Sequence, residues 1–185
     1  MTTHCRRLLF AALLPLAACA NAPKPASPPA SQPPALSDAD TVFLEKAARS
    51  NDFIMATARL ADTRSRNPRI RTFAARLVSD HAASQDRLKT IADQHGTTLP
   101  DALDTDEEHV LDSLTAEKGR NFDRDFTSLQ VASHENAAPL FQAEATGGTD
   151  PALKTYAADM QAAIRSHLDM AKALGQHRPH HRPHH

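Results

Sequence analysis

Aromatic side chains are almost missing from this chain: 4% of 185 residues, with one Tyr and no Trp. That argues against a stacking platform for bases or sugars. Glycine is scarce as well, at five residues, beside abundant alanine, a helical composition. Neither sign of charge dominates, with 21 Lys+Arg against 22 Asp+Glu, so the basic signature of a nucleic-acid binder is absent. Cysteine occurs only as Cys5 and Cys19. Both precede the candidate domain, which excludes a disulfide scaffold, a thiolate metal site or a cysteine nucleophile there. Proline is the exception at thirteen residues, and six of them crowd between Pro23 and Pro34.

The two ends read as separate from the fold. Arg6 and Arg7 form a positive start, and Leu8 to Ala18 is an apolar run too short to span a bilayer. It ends in Leu16-Ala17-Ala18-Cys19, which resembles the bacterial lipoprotein signal. On that reading residues 1–18 are a cleaved signal and Cys19 is the lipidation site, with several acyl chains giving stable membrane attachment. The competing reading is an ordinary secretory signal cut after Ala18 or Ala20. Cleavage removes two arginines, leaving 19 basic against 22 acidic groups, a mildly acidic exported form. Residues 19–36 are a Pro-rich tether of polyproline II character. Residues 176–185 are a His-rich tail ending HRPHHRPHH, whose Pro179 and Pro183 stop a helix. Its His177, His180, His181, His184 and His185 can chelate Cu, Ni or Zn weakly.

Residues 37–175 predict an all-α domain, a four-helix bundle with a short accessory helix before the third main helix. Ser37 with Asp40 suggests a capping box, and Phe43, Ala47, Ile54, Ala58 and Ala61 mark one apolar face of a helix over about 38–64. Asn67-Pro68 opens a second helix carrying Ile70, Phe73, Leu77, His81, Leu88 and Ile91, which stops near His95-Gly96. Asp104 with Glu107 starts the accessory helix, and Gly119 separates it from a third carrying Phe122, Phe126, Leu129 and Phe141. Pro139 should kink that helix or mark a local break, and Gly147-Gly148 terminates it. Asp150-Pro151 opens the last, with Leu153, Tyr156, Met160, Ile164, His167, Ala171 and Leu174, and Gly175 closes it.

Histidines interrupt these apolar faces. His81 and His167 fall on inner faces, and His134 lies inside or at a seam. Three imidazoles from three helices are the right chemistry for a transition-metal site in a bundle. The same spacing equally suits a structural polar network, since a buried histidine is usually satisfied by a carbonyl or an acid. Asp80 adjoins His81 and projects about 100° away from it, so it is either a ligand or the orienter of a histidine on another helix. His95 and His109 look like solvated residues or caps.

Several stretches together resemble the DUF4142 family: Phe43-Leu44 with Ala47-Ala48, Arg59-Leu60-Ala61, RTFAARLVSDH ending in Asp80-His81, Leu99-Pro100, Phe122-Asp123-Arg124 with Phe126, His134, and Ile164-Arg165-Ser166-His167. The resemblance covers about 42–174. It implies an exported or lipid-anchored bacterial protein with a ferritin-like four-helix fold and no established activity. The family's recurrent Asp-His, His and Leu-Arg-x-His positions map to Asp80, His81, His134 and His167. Two departures stand out: Ile54 replaces a common glutamate, and Ser133 replaces a common aspartate. Both remove oxygen ligands, which argues against a ferritin-like dinuclear oxidase and for a mononuclear, histidine-dominated site.

Two functions follow. One is a lipid-anchored envelope protein that binds or buffers a transition metal (Zn, Cu, Ni or Fe), on the periplasmic side of the outer membrane of a Gram-negative cell. The other is a non-catalytic structural or interaction protein of the envelope, stress-related, with an envelope protein partner and the core histidines as a polar network. No nucleophile motif, nucleotide loop or full carboxylate set marks an enzyme.

Overall fold

A computed structural model describes residues 34–176. The expected signal, Cys19, most of the expected tether and the five tail histidines lie outside these residues. Five helices follow in order: α1 (Asp38–Arg64), α2 (Pro68–Gln94), α3 (Thr105–Ala116), α4 (Gly119–Gly147) and α5 (Pro151–Gln176). None of the described helices is long and apolar enough to cross a membrane.

The helix boundaries follow from local chemistry. Ser37 Oγ accepts the Asp40 N–H at 3.1 Å. Asn67 accepts the Arg69 N–H, with Pro68 at the first helical position. Asp104 and Glu107 form a complete capping box, each side chain bonded to the other's backbone N–H. Gly96 stands at φ +66°, which lets the Thr97 N–H turn back to the Ala92 carbonyl at 3.0 Å. The local break expected at Pro139 is absent from α4, and the end of α5 expected at Gly175 falls one residue later. The packing of α4 along both α1 and α5 outweighs one missing backbone donor.

Three-residue links make α1/α2 and α4/α5 into hairpins. The first hairpin packs on the second through α1 against α4 and α2 against α5. Thr149, after α4, donates its N–H to Asp40 at the start of α1. His95, after α2, contacts Pro34 before α1 and Asp150 before α5. The starts of α1 and α5 therefore share one end of the bundle with the ends of α2 and α4. α2 and α4 then run parallel, and the segment between them, containing α3, must cross the length of the bundle. That single long crossover is the ferritin-like connection.

The core falls into two apolar clusters. One centres on Phe43, Leu88, Phe141, Leu153 and Tyr156, the other on Ile54, Phe73, Leu77, Phe122 and Phe126. Every main helix interrupts its apolar pattern between its contributions to the two, and each does so with buried polar side chains: Asn51 on α1, His81 and Ser84 on α2, Gln130 and His134 on α4, His167 on α5. A polar layer thus crosses the middle of the bundle.

Candidate metal centre

His81, His134 and His167 meet in that layer. They are 5%, 1% and 1% exposed, and their ring centroids lie 5.3–5.7 Å apart. One nitrogen from each comes within 4.8 Å of one nitrogen on each of the others. The inward placement read from helical spacing holds for all three, including His134, which is inside rather than at a seam.

Each ring is held by its remaining nitrogen. The His81 Nδ1–H donates to Asn51 Oδ1 at 2.8 Å. The His134 Nδ1–H donates to the Gln130 carbonyl one turn earlier, also at 2.8 Å. The His167 Nε2–H donates to Asp80 Oδ2 at 2.9 Å. Asp80 thus orients a histidine on another helix and is not one of the clustered groups. The same carboxylate oxygen accepts Arg76 Nε at 3.2 Å. Burial alone pushes the Asp80 carboxyl up, but the bonds from His167 and Arg76 outweigh it and hold the group below its ordinary value.

The nitrogens left over are His81 Nε2, His134 Nε2 and His167 Nδ1, and each is buried with no hydrogen-bond partner in the protein. Desolvation keeps the rings neutral. Burial, reinforced by the neighbouring imidazoles, drops His81 to about 3. Burial takes His134 to about 4 against the opposing pull of the Gln130 carbonyl. His167 is lowered by burial as well, in spite of Asp80. With the outer nitrogens carrying the protons, the inner ones carry lone pairs. The unpartnered nitrogens of the three rings thus carry three lone pairs and no proton. Each ring has the outer partner that metal-ligating histidines characteristically have.

The other expected site residues divide. His109 is exposed on α3. His95 is the cap at the end of α2 rather than a solvated residue, since its backbone N–H bonds the last turn and its side chain is 4% exposed. Its Nδ1 faces the Pro34 carbonyl at 2.9 Å and its Nε2 faces Asp150 at 3.1 Å, so it ties three chain segments at the bundle end. Ile54 is 1% exposed and packs in the apolar cluster with Leu77 and Phe126. It supplies no oxygen ligand.

Sequence reasoning missed Asn51, Ser84 and Gln130, all buried in the same layer. Their signal was present. Asn51 falls between Ala47 and Ile54 on the buried face of α1, and Gln130 falls between Phe126 and His134 on α4, where an apolar residue would complete the pattern.

Comparison with known proteins agrees with this architecture. A fragment of a DUF305 protein from Deinococcus radiodurans is similar in fold, with a TM-score of 0.69 at 14% identity over 77% of this chain and 99% of that one. CopM in its Cu(I)-bound form is similar with a TM-score of 0.63 at 18% identity, covering 74% of this chain and 95% of that one. CopM in its Cu(II)-bound form gives 0.64 at 19% identity with the same coverage. No curated protein matches the sequence. The model of a domain of unknown function, DUF4142, matches residues 25–174, and the chain belongs to that family.

Proposed function

We propose that the bundle binds one transition-metal ion, of the copper class, between neutral His81, His134 and His167, and that the protein handles metal without catalysing a reaction. The three buried, partnerless nitrogens carry this reading. A water placed among them could donate only two hydrogens to three lone pairs, whereas one cation serves all three. Soft or borderline ions favour imidazole, and a site without carboxylate suits copper or zinc better than magnesium or calcium. The copper-bound forms of CopM, a protein of similar fold, add support. Three nitrogens bonded to one ion at about 2.0–2.1 Å stand about 3.5 Å from one another, so the rings draw in by about an ångström from their spacing of up to 4.8 Å as the ion is taken up.

In this reading Asp80 orients His167, and the tail histidines collect metal from solution at the membrane surface, where Cys19 anchors the exported chain facing the periplasm. A purely structural network explains the three outer hydrogen bonds and leaves the three inner acceptors unexplained.

The test is a copper titration, monitored by competition with a chelator, on a full chain whose five tail histidines are changed to glutamine. One tight equivalent that disappears in the additional His81/His134/His167→Ala variant is expected. Weak, sub-stoichiometric binding indifferent to those three residues would leave the structural network as the function. For the anchor, Cys19→Ser should move the protein from the membrane fraction to the soluble one.

A further inference from the structure

His81 is gripped differently from its two partners. A backbone carbonyl holds His134 and a carboxylate holds His167, and both are acceptors by nature. His81 leans on the side-chain amide of Asn51, which could present either its oxygen or its NH2 to the ring. What faces His81 therefore depends on what Asn51 itself must satisfy.

The contacts of Asn51 settle this. Its Nδ2 donates to Gln85 Oε1 and to Ser84 Oγ, both at 3.1 Å. Gln85 in turn donates through Nε2 to Asp52 Oδ2 at 3.1 Å. An ionised carboxylate can only accept. Asp52 thus fixes which end of the Gln85 amide turns toward it, Gln85 presents its oxygen to Asn51, and Asn51 must turn its NH2 toward Gln85. Only Oδ1 is left for His81, and it requires a proton on Nδ1. The Nε2 of His81, buried and without a protein partner, must then carry the lone pair. Direction passes from a half-buried carboxylate on α1, across α2, back to α1 and onto α2 again, with every donor matched to an acceptor.

We infer that Asp52, Gln85 and Asn51 form a positioning relay that holds His81 in the Nδ1–H tautomer, so that its Nε2 presents a lone pair to the cluster. None of the three relay residues touches an ion; they act through His81. The tautomer itself does not depend on metal, and its consequence for binding rests on the function proposed above.

Nitrogen-15 NMR of the histidine rings in the metal-free protein reads the tautomer directly. The wild-type chain should show His81 protonated at Nδ1. Asn51→Leu removes the acceptor and should shift His81 toward Nε2–H, while Asn51→Asp, which keeps an oxygen against Nδ1, should restore the wild-type signature. Gln85→Leu, at a half-buried position, offers a milder change should Asn51→Leu fail to fold, and should give a mixture of tautomers. Where the tautomer is lost, copper affinity should fall by about 10–100-fold, the usual cost of removing a partner behind a ligand. A wild-type His81 protonated at Nε2, or Nδ1–H retained in both Asn51→Leu and Gln85→Leu, would overturn the relay. If the tautomers change as expected but no form of the protein binds copper, the relay stands and the metal function falls.

Discussion

The bundle contains two buried polar clusters, one across its middle and one at the end where α1 and α5 begin, and they treat their lone pairs in opposite ways. At the end, both ring nitrogens of His95 face oxygen acceptors, and Asp40, fully buried, accepts from Ser37 Oγ and from the N–H and hydroxyl of Thr149. Burial alone would push Asp40 up, but those bonds and one from Glu144 hold it at about 2. In the middle, each histidine is satisfied on one nitrogen and open on the other. The end cluster joins chain segments and is largely closed. The middle cluster is closed on its outer side only, and the open sides converge. The orphan at the end, Glu144 Oε1, belongs to a carboxyl that burial and the adjacent Asp40 raise to about 7, so it is largely neutral in mild acid and costs less to leave unpaired.

This contrast can be broken most severely at the triad. Replacing any one of His81, His134 or His167 with alanine should weaken copper binding by roughly 100-fold or more, whereas His95→Ala should leave the affinity unchanged and lower the melting temperature. Calorimetric titration beside thermal melting separates the two effects. Next in size, Asp40→Ala strips the partners from Thr149 and Ser37 and should cost about 2–3 kcal/mol in urea denaturation, again without touching copper affinity.

A smaller effect sharpens the end cluster through pH. The Glu144 carboxyl is raised in the folded protein above its ordinary value of 4.5, to about 7. The folded state therefore holds this proton more tightly than the unfolded one. The stability it contributes is complete below about pH 4.5 and is lost as pH rises through about 7. Glu144→Gln should flatten that loss in melts recorded from pH 5 to 9. The smallest effect belongs to the surface: Arg87, which bridges α2 to Asp159 on α5 at 2.9 Å with both side chains exposed, should cost no more than about 1 kcal/mol when changed to alanine.

Much of the fold could be read from the chain before any coordinates, because its signals are local. Ser37, Asn67 and Asp104 are short polar side chains placed just before apolar periodicity, and each caps a helix where expected. The three inward histidines were legible for the same reason, since helical spacing fixes a face. Their convergence was not, because helix order and depth depend on the crossover, a long-range feature. Asn51, Gln130 and Ser84 escaped notice because amides and hydroxyls carry no charge and are common on solvated faces, and only the shared level of four helices reveals them as one layer. His95 was legible as a cap of α2 but not as a buried side chain: a helix end usually faces water, but here two other segments close over it.

The crossover also divides the chain into halves that meet at the triad. His81 belongs to the α1/α2 hairpin, while His134 and His167 belong to the α4/α5 hairpin. An ion shared by the three would act as a non-covalent cross-link between the two hairpins, present when loaded and absent when stripped. Its contribution would follow occupancy, about 2.7 kcal/mol at a free metal concentration a hundred times Kd. The melting temperature of the bundle would then be a graded gauge of the free metal around it.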